Sequence, residues 1–333
     1  MSRPMDVLVI GGTRFVGPRL VRALLDRDHR VTTFNRGKTP TDLPDSVERL
    51  HGDRSDPAQL ARGIGGREFD ACVDTIAMRG GDTLGAVEVL DGRVGHYVHF
   101  STGQVYLVRA GCPVPAREED YDGPIVEAPP EEWARREWRY GIEKRECEDA
   151  LEDAWVSRRF PATRLRLPMI HGAGDPKGRI QGYVLRLTDG GPLLVPLESG
   201  PRIRHVHVDD VVDAVVRIVE DGRGIGAAYN LAPGDLVSFH DFLARLGEIL
   251  DATPDVVRLP RDELLDEGLF PACSPLSNPW MSVLDGTRAR EELGVAPRAL
   301  AEWLAGLVER LENEEPEAPD GYRDQRERER ALA

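Results

Sequence analysis

Tyr140 and Lys144 stand four residues apart in the run Trp138-Arg139-Tyr140-Gly141-Ile142-Glu143-Lys144. Helix formers continue beyond it, and on a helix positions i and i+4 share a face. A phenol beside an ammonium favours the phenolate. The spacing therefore predicts a tyrosine pKa below its reference of about 10 and a proton acceptor usable near neutral pH. Lys144 is one of three lysines in a chain with forty arginines. A lysine kept in so arginine-rich a chain suits a site that needs a compact ammonium rather than a planar guanidinium.

A second group of residues has the form of a phosphate cradle. Gly11-Gly12-Thr13-Arg14-Phe15-Val16-Gly17 follows the apolar run at residues 7–10 and opens a helical pattern that continues to residue 25. A glycine turn between strand and helix exposes N–H groups at the helix start, and these hold a pyrophosphate. Arg14 occupies the position where backbone normally comes closest to phosphate. Either the dinucleotide shifts there or the guanidinium adds a charge contact. The next strand ends in Asn35-Arg36 and brings no carboxylate to a ribose 2′-hydroxyl. That choice tolerates a 2′-phosphate and favours NADP over NAD. Asp53, after the third strand, either reaches the adenine amino group or caps the helix behind it.

These residues need a scaffold that alternates strands and helices. Buried-strand patterns occur at 7–10, 30–34, 47–50, 71–75, 96–101 and 162–167, with helical stretches at 57–63, 83–90 and 131–155 between them. The alternation predicts an α/β fold with a doubly wound parallel sheet, a Rossmann domain over 1–168. Beyond it the pattern becomes mixed. Residues 169–311 are expected to form mainly a smaller mixed α/β substrate lobe, with 203–222 packing back on the sheet. Helices are expected at 181–187, at 238–250 behind a Ser238 cap, and at 298–311. The charged tail, 312–333, reads as solvated. Residues 109–131, rich in proline and acids, read as a loop beside the cleft.

Net charge is −15, and no lysine/arginine block is interleaved with aromatics, so neither nucleic acid nor a membrane is an expected partner. Cys72, Cys112, Cys147 and Cys273 are far apart, which suggests neither a zinc site nor a disulfide framework. His171, His205 and His207 lack metal-site spacing and are read as structural or substrate-facing, so no metal is expected. A strand begins within a few residues of Met1, which leaves no room for a signal peptide, and no apolar run is long enough to span a membrane. A cytoplasmic protein is expected.

Taken together, these motifs resemble the extended short-chain dehydrogenase/reductase superfamily, in its NAD-dependent epimerase/dehydratase group. The glycine turn with a central arginine is similar to an atypical branch that includes the chloroplast stem-loop-binding proteins. Phe100-Ser101-Thr102-Gly103-Gln104-Val105-Tyr106 resembles the strand carrying the catalytic Ser/Thr. Tyr140 and Lys144 take the Y-x-x-x-K places. Residues 166–175, 204–211 and 285–297 resemble further family segments in the family's order. The resemblance implies that Tyr140 is the general acid/base, that Lys144 supports it and binds the nicotinamide ribose, and that Thr102 binds the reacting oxygen. Gln104, Met169 and Arg204 fall at substrate-facing places, although Arg204 could instead pair with Asp209 or Asp210. Gly103-Gln104 replaces the Asp-Glu of the dehydratases, so sugar dehydration is not expected. The implied activity is epimerisation of a sugar through a transient ketone, with a nucleotide-linked sugar as the expected form. The alternatives are NADPH-dependent reduction of a keto-sugar, RNA binding, or cofactor sensing without turnover. A homodimer is implied.

Overall fold

The computed structural model of the protein describes residues 3–198, 200, 202–314, 316–319 and 321–333. Short apolar runs closed by turn residues become strands, and the 3.6-residue patterns between them become helices. The first half runs β1 (Asp6–Ile10), α1 (Val16–Leu25), β2 (Arg30–Asn35), β3 (Glu48–His51), α2 (Pro57–Ile64), β4 (Ala71–Asp74), α3 (Gly80–Leu90), β5 (Tyr97–Thr102), α4 (Gln104–Leu107), α5 (Glu132–Arg158) and β6 (Ala162–Leu167). There follow β7 (Ile170–His171), α6 (Arg179–Thr188), β8 (Leu193–Pro196), β9 (Val206–His207), α7 (Val208–Asp221), β10 (Ala228–Asn230), α8 (Phe239–Leu250), β11 (Val256–Leu259), α9 (Arg261–Asp266), α10 (Thr287–Leu293), α11 (Leu300–Glu314) and α12 (Tyr322–Leu332).

Among the described residues, seven parallel strands form one sheet in the order β10-β6-β5-β4-β1-β2-β3. Both faces are covered at the centre of the sheet, so β1 is a continuous apolar run from Val7 to Ile10 rather than an alternating one, whereas the edge strand β3 is largely exposed. Val7 and Val9 pack with α1 and α7 on one face, through Leu20, Val211 and Val215. Leu8 and Ile10 pack with α2, α3 and α5 on the other, through Leu60, Val87 and Leu151. Strand order reverses at β1, with β2 on one side and β4 on the other. In an open α/β sheet such a reversal leaves a crevice at the carboxyl ends of the strands. A separate apolar cluster joins α6, α8 and α11 through Tyr183, Phe242, Leu246 and Trp303. Ser238 caps α8 as expected, accepting from the Asp241 N–H at 3.0 Å. β10 belongs to the main sheet, although it comes from the stretch assigned mainly to the smaller lobe.

One expectation is corrected. The tail is not simply solvated. α12 returns to α6 and buries Arg326 and Glu329, which is fully enclosed. Arg186 of α6 grips both oxygens of Glu329, and Arg326 grips Asp189. Charges that look solvated in one dimension are partners in three. Residues 109–131 form a loop with one short 3-10 turn at Glu118–Tyr121, and that loop is pinned to the rest of the fold. Ala116 pairs with Val283 and Asp285 through its backbone, and Tyr121 lies under the Arg145 guanidinium, 3.7 Å from ring centre to Cζ.

Candidate functional site

The turn after β1 sits at the strand reversal. Gly11 has φ +110°, in the region that favours glycine. A Cβ on Gly17 would stand 2.6 Å from the Gly12 backbone, so only glycine lets α1 start this close to β1. Phe15, the residue before α1, holds φ +50°, a conformation costly for a bulky side chain and kept only by its surroundings. No side chain caps the first turn of α1, where the Gly17 N–H turns back to Arg14 O at 2.9 Å. Val16 is buried behind them, Thr13 is half-buried and Arg14 is exposed. At the end of β2, Asn35 is tied into the turn: its Nδ2 donates to Gly11 O at 3.3 Å and its Oδ1 accepts from the Gly37 N–H at 2.9 Å. Arg36 beside it is exposed. Asp53 does not cap α2, a role taken by Asp56. Its carboxylate instead accepts from the Ser55 hydroxyl at 2.7 Å, which holds its pKa below the usual range.

Thr102, Tyr140 and Lys144 converge across the crevice. Thr102 is the last residue of β5, and Tyr140 and Lys144 lie on α5. The helix comes close because Gly141 has no side chain: a Cβ there would stand 2.8 Å from Gln104 O. Trp138 anchors the same stretch by donating its indole N–H to Val126 O at 3.0 Å. The Thr102 hydroxyl lies beside the Tyr140 phenol and favours its charged form. Lys144 is 4% exposed and donates to Ala77 O at 2.8 Å and to Phe100 O.

This arrangement corrects the expected electrostatics. Burial pushes the Tyr140 phenol above its ordinary pKa, the Thr102 hydroxyl opposes this, and the charge of Glu137 adds to it. The Lys144 ammonium donates to two backbone carbonyls, and burial rather than a neighbouring cation dominates the phenol. Burial lowers the pKa of Lys144 itself. Beneath the site lie two buried ion pairs that sequence reasoning missed. Arg54 meets Asp74, to which Tyr97 also donates at 2.7 Å. Arg166 meets Glu148 at 2.6 Å, and Ser101 donates to the same carboxylate. Burial alone would raise both acids, but their arginines hold them below the ordinary carboxylate range. These pairs brace β4, β5 and β6 under the triad.

Of the substrate-facing residues, Gln104 is buried and its Nε2 donates to Glu137 Oε2 at 2.8 Å. Glu137 was not singled out from the sequence. Its position three residues before Tyr140, on the same helix face, was the available signal. Its presence corrects the expectation of a site without a carboxylate: α5 supplies one where the strand end does not. Met169 lies apart from the triad's hydrogen bonds, packed against the smaller apolar cluster. Arg204 donates to Leu284 O and pairs with neither Asp209, which lies beside Arg19, nor Asp210, which takes Arg298 at 2.7 Å. His171 and His205 form a buried pair at 3.0 Å and face no substrate. Among the described residues, no cluster of three metal-ligating side chains occurs.

The model of the NAD dependent epimerase/dehydratase family matches residues 7–232, most of the chain and the whole of the site. The chain belongs to this family. Relatives of the family member include the 2'-dehydrokanamycin reductase of Streptomyces kanamyceticus, 24% identical over 288 residues, covering 84% of this chain and 77% of that protein. The chloroplast stem-loop binding protein of 41 kDa b of Arabidopsis thaliana is 27% identical over 258 residues, 73% of this chain and 62% of that protein. Among solved structures, UDP-glucose 4-epimerase of Thermotoga maritima aligns with TM-score 0.75 at 21% identity, over 94% of this chain and all of the other. The dTDP-glucose 4,6-dehydratase of Bacillus anthracis, in complex with NAD, aligns with TM-score 0.75 at 17% identity over 93% and 97%. These structural likenesses establish the fold.

As an epimerase/dehydratase family member the protein is an NAD(P)-dependent enzyme of the extended short-chain dehydrogenase/reductase type, and its residues fit such a cofactor. The uncapped first turn of α1 and the Gly17 contact leave a cradle that any side chain would fill. Among the described residues, no helix is long and apolar enough to cross a membrane.

Proposed function

We propose that the protein catalyses NAD(P)-dependent oxidoreduction at a hydroxyl-bearing carbon of a sugar, and that Thr102, Tyr140 and Lys144 are its catalytic residues. The convergence of these three at the strand reversal carries the reading. Gly11, Thr13, Arg14, Phe15, Val16 and Gly17 would hold the pyrophosphate, Asn35, Arg36 and Asp53 the adenosine, and Tyr140 and Lys144 the nicotinamide ribose. When bound, the nicotinamide supplies the acceptor or donor of hydride. Tyr140 exchanges a proton with the substrate oxygen as that carbon changes oxidation state. Thr102 orients the same oxygen. Lys144, fixed by two backbone carbonyls, keeps α5 in register with β5 and has a third N–H left for the ribose.

Two observations favour reduction of a keto-sugar over epimerisation through a transient ketone. The raised pKa of Tyr140 keeps the phenol protonated at neutral pH, ready to donate to a ketone oxygen. At the adenosine end β2 closes in Asn35 and Arg36 rather than a carboxylate, and Arg36 and Lys38 are both exposed near Asp53, a setting that suits NADP. The substrate on this reading is nucleotide-linked, with Arg204 and Met169 near its path, and two copies would pair through α3 and α5. RNA binding is disfavoured by the charge of −15.

The test has two parts. Nucleotide released from the denatured protein is identified: tightly held NAD supports epimerisation, and an empty site that binds NADPH reversibly supports reduction. Tyr140→Phe should then abolish turnover and leave cofactor affinity intact. Substantial residual activity in that variant would remove Tyr140 from the mechanism.

A further inference from the structure

Glu137 is a half-buried carboxylate on the active-site face of α5. Gln104 holds one of its oxygens, and the Gln104 backbone N–H reaches the Thr102 hydroxyl at 3.3 Å, the same hydroxyl that contacts Tyr140. A carboxylate only accepts hydrogen bonds, so the Glu137 contact also fixes which way the Gln104 amide points. Among the described residues Glu137 has no ion pair. That sets it apart from Asp74, Glu148 and Glu329, each of which is buried against an arginine. Arg136, Arg179 and Lys177 act on Glu137 only from a distance. Arg179 is engaged elsewhere, its Nη1 lying 3.0 Å from both oxygens of Asp175. Taking a carboxylate partly out of water without a counter-charge costs stability, and burial raises its pKa accordingly. In a chain with forty arginines, an unpaired acid beside the acid/base tyrosine leaves a place for a charge that the ligand brings.

We propose that Glu137 determines substrate specificity by taking the ammonium of an amino sugar, on a carbon near the one that reacts. The inference rests on the sugar oxidoreduction proposed above and narrows its substrate class. An ammonium offers Glu137 a charge-assisted hydrogen bond, a hydroxyl offers a weaker neutral one, and a deoxy carbon offers none. A site built around such a contact rejects analogues that lack the donor. Gln104 is the positioning residue, since it sets the direction in which the free oxygen of Glu137 points.

The test uses the full chain loaded with NADP and titrated by calorimetry with glucosamine and its positional amino isomers, with glucose as the neutral counterpart. One of the amino sugars should bind the parent protein about tenfold or more tightly than glucose, the effect expected of a charged hydrogen bond. Glu137→Gln keeps the shape and should bring that ratio close to unity while cofactor affinity stays unchanged. A parent protein with no preference for any amino isomer, absence of binding included, would overturn the inference. So would a preference that survives in Glu137→Gln. A failure of the oxidoreductase reading looks different: the cofactor itself would not bind, or Tyr140→Phe would retain turnover.

Discussion

Replacing Glu329 by alanine should cost the protein about 3–5 kcal/mol of stability, although the residue lies four positions before Ala333 in a segment dense with charge. Glu329 is fully buried, and Arg186 and Arg326 are 3% and 4% exposed. Its Oε2 takes Arg186 Nε at 2.9 Å and Arg326 Nη1 at 3.0 Å, and its Oε1 takes Arg186 Nη2 and Gln325 Nε2. Truncation leaves two guanidinium groups enclosed together. Arg326 keeps Asp189 at 2.7 Å, but among the described residues Arg186 keeps no carboxylate, only the Tyr322 ring and carbonyls such as Gly182 O at 2.8 Å. An uncompensated buried cation is the costly state. Removing both charges is not, because the desolvation penalties vanish with them. The double variant Arg186→Met with Glu329→Leu should therefore recover most of the loss. Urea unfolding followed by tryptophan fluorescence reads the effect directly. Trp133 packs edge-on against Phe270 at 5.5 Å, in an apolar cluster that also touches Leu332 of α12. If Glu329→Ala unfolds within about 1 kcal/mol of the parent, the clamp contributes no more than a surface pair and the reasoning is refuted.

Stability should also fall on mild acidification. Burial lowers His96 to about 4 and His99 and His205 to about 3, against about 6.5 when unfolded. The unfolded chain thus binds protons that the folded chain refuses between about pH 6.5 and these values, so stability is complete above that window and declines on entering it. At pH 5 the loss is about 2 kcal/mol per histidine, and equal urea midpoints at pH 7 and pH 5 would contradict it. Gly17→Ala should weaken NADPH binding by at least about tenfold, because its Cβ would force α1 away from the Gly12 backbone. Calorimetry with the folded variant checks this, and parent-like affinity would show that the turn can yield.

The scaffold was largely legible because its signals are local. The apolar run of β1, the glycine turn and the helical spacing behind it each lie within a dozen residues, and hydrophobic periodicity reports on such stretches. Tyr140 and Lys144 were legible for the same reason, since four residues on a helix is a fixed geometry. Their electrostatics were not. The direction of a lysine stem depends on which carbonyls stand at its far end, and Ala77 and Phe100 reach that point from the loop after β4 and from β5. Glu137 and Gln104 are 33 residues apart, and Arg186 and Glu329 are 143 apart. No periodicity links such pairs.

The sequence by itself determined where strands, helices and the dinucleotide turn form, because backbone preference and burial pattern act over a few residues. Only the tertiary structure decided which charges lose their water and which partner each then keeps. Tyr140 is raised rather than lowered, Glu329 is a clamp rather than a frayed end, and Glu137 stands unpaired, because desolvation depends on every element packed around a group.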